Sequence, residues 1–197
     1  DNKIERNVPP KRQVIDSFIK LSAQIGKERV IWRYDPVVLT DNIDAAWHRK
    51  NFELLAAELK DYTNRCHISF VDMYRKINRN MQSIRAVSIT EKDMLETGKG
   101  FAAVAAKYGL KIYSCTESYD LMAAGIDPGS CIDGRLIAEI TGRKCDFPKD
   151  KNQRAQCNCA ASVDIGAYNS CRHGCLYCYA NFSETAVKNN ILKHDPA

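Results

Sequence analysis

Val14, Phe18, Leu21 and Ile25 recur at helical spacing, behind Pro9-Pro10 and ahead of Gly26. The pattern predicts a first helix with a start and a stop. "RVIWRYDPVVL" (29–39) follows as a strand, expected to end near Asp35-Pro36 because proline cannot continue a central ladder. Phe52, Leu55, Leu59 and Tyr62 form a second helical stripe, and "CHISFVD" (66–72) reads as a second strand. Thr90 with Asp93 resembles a capping box. Behind it Met94, Phe101, Ala105 and Tyr108 line a third helix that Gly109 stops. "LKIYSC" (110–115) is the third strand, and a shorter helix around Leu136, Ile137 and Ile140 ends at Gly142.

Helices and strands in alternation require parallel strands joined by helical crossovers. The expected class is therefore α/β, either an open doubly wound sheet or part of a (β/α) barrel. Three clear strands are too few to close a barrel. Past residue 142 the periodicity dissolves into "GRKCDFPKDKNQRAQCNCAASVDIGAYNS". The chain thus divides into an α/β region, 1–142, and a cysteine-rich segment, 143–197. Polar or reactive residues gather where each strand ends: Arg33 and Asp35, Ser69 and Asp72, Cys115 and Glu117. Ligands of parallel α/β sheets bind outside the carboxyl ends of the strands. Arg33 interrupts an apolar strand, and Asp35 can supply its counter-charge without any ligand.

Composition narrows the classes. Hydrophobic residues make up 45% of 197, the proportion of a globular protein, and no apolar stretch approaches a membrane span. The first residues, "DNKIERNVPPKRQ", carry no apolar signal region, so cytoplasm is the default expectation. A net charge of +5 is too weak to imply nucleic acid by itself. The unusual number is nine cysteines, an odd count without an export signal, which points to metal rather than disulfides.

Cys171, Cys175 and Cys178 have the spacing C-x3-C-x2-C. Chance would produce it about 0.02 times in a chain of this length and cysteine content, so chance is a poor explanation. Closely spaced thiolates repel one another unless a cation or cluster holds them. Structural zinc wants four ligands, whereas three cysteines on a cubane iron–sulfur cluster leave one iron open; zinc and unligated thiols stand as the alternatives. Cys115, Cys131, Cys157 and Cys159 make four more thiols near predicted loop or strand ends. Four is the number for an auxiliary cluster or a structural zinc, while Cys115 and Cys131 also suit small buried positions. Cys66 and Cys145 are assigned to packing, His48 to core or surface, and His173 to a solvent-facing loop. The basic run "GRKCDFPKDKNQR" reads as solvated, with a phosphate-bearing substrate as the functional alternative.

"CRHGCLYCYA" (171–180) resembles the cluster motif of the radical S-adenosylmethionine superfamily, and its Tyr-Cys-Tyr that of the spore photoproduct lyase group. "IGKERVIWRYDPVVLT", "ISFVDMY", "CID", "KDKNQRAQCNCAASVDIGAYNSC" and "HGCLYCYAN" together resemble the domain-of-unknown-function family 1848, across nearly the whole chain. The superfamily resemblance implies a [4Fe–4S] cluster on Cys171, Cys175 and Cys178, with S-adenosylmethionine on the open iron and Tyr177 beside its adenine. It implies an enzyme of unknown substrate, served by an electron donor such as a flavodoxin or ferredoxin. The cofactor's amino, carboxylate and ribose groups would then fall to Arg33, Asp35, Asp72 and Glu117. In the superfamily the motif follows the first strand; here it lies near the end. The resemblance therefore implies a partial or permuted TIM-like (β/α) barrel with a C-terminal cysteine-rich segment, and further strands ahead of residue 1. The alternatives are a non-enzymatic iron–sulfur electron-transfer protein and a zinc-stabilised binding module, with nucleic acid as one partner for the latter.

Overall fold

The computed structural model describes residues 2–143 and 146–195; Cys145, expected in packing, lies outside them. Helix α1 (Lys11–Ile25) leads into β1 (Trp32–Val37), α2 (Ala45–Leu59) and β2 (Arg65–Phe70). Then come α3 (Asn78–Ser83), α4 (Glu91–Lys107), β3 (Lys111–Ser114), a 3-10 turn at Met122–Ala124 and the two-residue β4 (Asp127–Pro128). Helices α5 (Gly134–Thr141) and α6 (Glu184–Leu192) complete the described elements. The strands lie in the order β1-β2-β3-β4, all parallel. The three strands legible in the sequence are thus neighbours in one sheet, and that sheet is open rather than closed into a barrel. Among the described residues no strand pairs with the outer edge of β1, and no helix is long and apolar enough to cross a membrane.

Local chemistry sets the helix limits. The Thr90 hydroxyl accepts the Asp93 N–H at 3.2 Å, and the Asp93 carboxylate accepts the Thr90 N–H at 2.8 Å. This reciprocal cap starts α4 where the sequence places it. Asp133 caps α5 by accepting the N–H groups of Arg135 and Leu136, and Gly142, left-handed at φ 66°, ends that helix. Helices α3 and α6 have no strong apolar stripe to announce them. Met81 is the buried residue of α3, and α6 buries none. The Ser183 side chain, accepting the Ala186 N–H, is the one local signal for α6.

Strand β1 runs through Asp35-Pro36 instead of ending there. Its ladder pairs Tyr34 with Ile68 and resumes at Val37 with Phe70, skipping the two residues between. Proline is tolerated because β1 is an edge strand and the skipped pair falls at an irregularity in register.

The two faces of the sheet differ in kind. Trp32 and Tyr34, Cys66 and Ile68, and Ile112 point toward α2 and α4. There Trp32 stacks on Phe52 at 4.6 Å, and Phe52 stacks on Phe101 at 4.5 Å, so one aromatic pile joins β1, α2 and α4. Tyr34 meets both phenyl rings edge-on. His48 of α2 is buried in this layer, with Nε2 at 2.9 Å from the Val38 carbonyl and Nδ1 at 2.9 Å from the Tyr34 hydroxyl; it is a core histidine. The alternate residues, Arg33 and Asp35, Arg65, His67 and Ser69, Tyr113 and Cys115, face the other way. The loop at Gly129 lies against that side, next to the Tyr113 and His67 side chains, and α5 reaches its edge through Asp133 and Glu139, which pair with Arg65.

Phe101→Ala removes the last ring of the stack from a fully buried position. It is expected to cost about 3–5 kcal/mol, read as a lower urea midpoint with an unchanged denaturant slope.

Candidate functional site

The polar face is knit together at the carboxyl ends of the strands. Arg33 Nε donates to Asp35 Oδ2 at 2.9 Å and Nη2 to the same oxygen at 2.5 Å. The other Asp35 oxygen accepts the Ser69 hydroxyl of β2. Arg33 Nη1 continues to Cys131 Sγ at 3.2 Å. One carboxylate therefore ties two strands together and steers one guanidinium at a sulfur. Glu117, just past β3, accepts the Phe70 N–H of β2 at 2.9 Å. Burial raises its carboxyl to about 7, against the pull of that N–H, with Asp72 and Cys115 adding to the rise. Asp72 instead pairs with Arg154 at 2.8 Å, and both meet the Tyr74 hydroxyl.

Cys115 and Cys131 touch, Sγ to Sγ, at 2.8 Å. They titrate as a pair. The hydrogen bond from Cys131, followed by those from Thr116 and Arg33, brings Cys115 down to about 6 against its burial, and the Cys131 thiol is pushed well up by the same shared bond and by burial. Residues 130–132 and 157–160 lie alongside each other. Ser130 Oγ donates to the Asn158 carbonyl at 2.9 Å, and the Ala160 N–H reaches the Ile132 carbonyl at 2.9 Å. This brings in Cys157 and Cys159, both buried. Cys159 Sγ accepts the Ile132 N–H at 3.4 Å and a second backbone N–H from Cys131, and it hydrogen-bonds the Cys157 thiol. All four thiols grouped from the sequence thus fall into one neighbourhood.

The terminal motif sits at the same end of the sheet. Its loop turns at Gly174, φ 63°, with Asn7 close enough to crowd any added Cβ. The Asn7 N–H donates to the His173 carbonyl, the Leu176 N–H to that of Ile4, and Glu5 bridges Cys175. Tyr177 donates to a Glu5 carboxylate oxygen at 2.6 Å and packs on Val38, Ile77 and Met81, the first of these directly after β1. Tyr179 lies 5.6 Å from the Tyr74 ring, close beyond β2. Within the motif, Cys171 is exposed and Cys175 and Cys178 are half-buried. The His173 N–H points at Cys171 Sγ at 3.5 Å, and burial raises the Cys175 thiol. His173 itself is exposed.

A cavity of about 560 Å³ runs along the outer edge of β1, between the N-terminal segment, α1 and α2. Arg33, Asp35, Tyr177 and Glu5 line it. Of the residues expected at a cofactor, the structure joins Arg33, Asp35 and Tyr177 on this cavity. Asp72 and Glu117 stand apart, beyond β2 and β3. Among the described residues no three His, Cys, Asp or Glu side chains converge closely enough to hold a single metal ion.

The sequence reading missed Glu5, Arg154 and His67. Glu5 and Arg154 find their partners across long stretches of chain, and no local pattern marks such pairs. His67 had a signal: Arg65, His67 and Ser69 alternate with buried Cys66, Ile68 and Phe70, which puts them on the polar face. His67 is 1% exposed, and its Nδ1 has no hydrogen-bond partner among the described residues.

These features define an α/β protein with an open parallel sheet, carrying an arginine–carboxylate network and two groups of thiols at the carboxyl ends of its strands. The chain belongs to the family described as domain of unknown function DUF1848, whose model matches residues 1–180, all three motif cysteines included. No curated protein and no solved structure matches it.

Burial, with Arg33 and Arg65 nearby, holds the His67 imidazole down at about 4, while Asp133 and Asp35 oppose the shift. The unfolded chain, near 6.5 at this side chain, takes up the proton first. Stability is therefore intact above about pH 6.5 and falls as the pH drops toward 4. Between pH 7 and pH 4.5, wild type should lose about 2 kcal/mol more than His67→Gln in urea titrations, a value discounted for solvent screening. Equal losses in the two proteins would remove His67 from the pH dependence.

Proposed function

We propose that the chain is an iron–sulfur protein of the radical S-adenosylmethionine kind, acting on a substrate not yet known. Cys171, Cys175 and Cys178 would hold three irons of a [4Fe–4S] cluster and leave the fourth for S-adenosylmethionine. When bound, such a cluster supplies the electron that cleaves S-adenosylmethionine reductively. The observation that carries the reading is positional. The motif loop lies against Val38 and Tyr74, at the carboxyl ends of β1 and β2, beside a cavity lined by Arg33, Asp35 and Tyr177.

The donor set fits the group. Three thiols share one loop, and a backbone N–H is directed at Cys171 Sγ, the outer-shell contact that stabilises a ligating thiolate. Arg33 and Asp35, paired with each other in the structure, would part to meet the cofactor's carboxylate and its ammonium or hydroxyl groups. Tyr177, fixed by Glu5, would exclude water beside a group held by the motif cysteines. The sheet itself reads as an arc of a partial or permuted (β/α) barrel. Its strand order is sequential, its helical layer covers one face, and the polar residues gather at the carboxyl ends. The exposed Cys171 side of the loop is where an electron donor of the flavodoxin or ferredoxin class would approach.

Anaerobic reconstitution with iron and sulfide tests the reading. The expected product is brown protein with about four irons and four sulfides at the motif, forming 5′-deoxyadenosine on reduction with S-adenosylmethionine. Cys171→Ala, Cys175→Ala and Cys178→Ala should each abolish the nucleoside. Failure to take up iron at these cysteines, with all three still open to alkylation, would overturn the proposal. A cluster that forms but yields no 5′-deoxyadenosine would leave an electron-transfer protein instead.

A further inference from the structure

We infer that Cys115, Cys131, Cys157 and Cys159 form a second site, a closed four-thiolate centre for a single tetrahedral ion, Zn²⁺. It is distinct from the terminal motif, and the inference does not rest on the reading of that motif. The four cysteines come from three separated stretches: the end of β3, the loop before α5, and the loop at 157–159. Backbone pairing between 130–132 and 157–160 holds two of those stretches together, and Cys131 is the hinge of the group. Its sulfur touches Cys115 at 2.8 Å, while its N–H is directed at the sulfur of Cys159, which in turn bonds Cys157.

The spacing selects a single ion over a cubane. Sulfurs bound at about 2.3 Å to one tetrahedral zinc stand roughly 3.8 Å apart, so the Cys115–Cys131 contact of 2.8 Å has to open by only about 1 Å. Cubane ligands sit on different irons and would force that contact much further open. The four side chains do not converge on one point as they stand, and rotation about χ1 is the movement that would bring them together. The surroundings suit bound thiolate. Cys159 Sγ receives two backbone N–H groups and Cys131 Sγ a guanidinium. Zinc with four thiolates carries a net charge of −2, which Arg33 and these N–H dipoles offset; the thiol protons displaced on binding leave to solvent. A filled set of four protein ligands leaves no open position, so the centre would be structural. It would clamp the loops that cover the polar face.

The test uses the whole chain purified anaerobically, with zinc and iron measured by mass spectrometry. Wild type and the Cys171→Ala/Cys175→Ala/Cys178→Ala variant should each hold about one zinc, and Cys157→Ser/Cys159→Ser should hold none. In the unmutated chain, added zinc should shield Cys115, Cys131, Cys157 and Cys159 from alkylation and leave the three motif cysteines reactive. That readout stands even where the double variant fails to fold. Zinc lost from the motif variant, iron and sulfide retained by it, or zinc-independent alkylation of the four thiols would each overturn the inference. A zinc-free chain with a Cys115–Cys131 disulfide would also overturn it.

Discussion

Arg33 stands in a strand between Trp32 and Tyr34, whose rings are packed into the core, and its charge has to be met on the opposite face. The nearest counter-charge is two residues along the same strand, where alternation brings Asp35 to the same side. Both available guanidinium contacts go to one Asp35 oxygen, leaving the other for Ser69 of β2. The third nitrogen is left pointing at Cys131. From this one ion pair follow the coupling of β1 to β2, the orientation of the guanidinium, and the placing of a cation beside the thiols. An exposed pair of this kind contributes little to stability; its consequence is orientation.

The division of the sheet into an apolar and a polar face explains the rest of the layout. Parallel strands normally read as continuous apolar runs because helices cover both faces. Here α2 and α4 cover one face, and the aromatic stack of Trp32, Phe52 and Phe101 supplies its rigidity. The other face is satisfied group by group: Arg65 by Asp133, Asp35 by Ser69, and Glu117 by the Phe70 N–H. Such a face costs desolvation wherever a partner is missing, as at His67 Nδ1. Polar groups held by a stiff apolar support are the ordinary construction of a binding site.

The two groups of thiols lie in different parts of that construction. The motif loop is bound to the first residues of the chain through Asn7, Ile4 and Glu5, so the two distant stretches position each other. The other four cysteines lie where three loops meet over β3. One group lies beside a cavity with Cys171 exposed, and the other joins buried Cys157 and Cys159 to half-buried Cys115 and exposed Cys131.

Much of the fold was legible in the sequence because its signals are local. Period-3.6 stripes, the Thr90–Asp93 cap and the glycine stops placed the main helices and three strands near their observed limits, and alternation implied that those strands are parallel. Helices α3 and α6 bury too little to leave a stripe, and β4 is too short to leave a pattern at all. Polar residues at the strand ends, and the suspicion that four scattered cysteines belong together, could also be read from spacing. Which of those residues share a cavity could not, since Asp72 and Glu117 occupy strand ends like Arg33 and Asp35 yet stand away from it. Glu5 with Tyr177, Arg154 with Asp72 and Cys131 with Arg33 are pairings between residues far apart in the chain. A sequence records which groups need partners; only the packing of sheet, helices and loops decides which partner comes within reach.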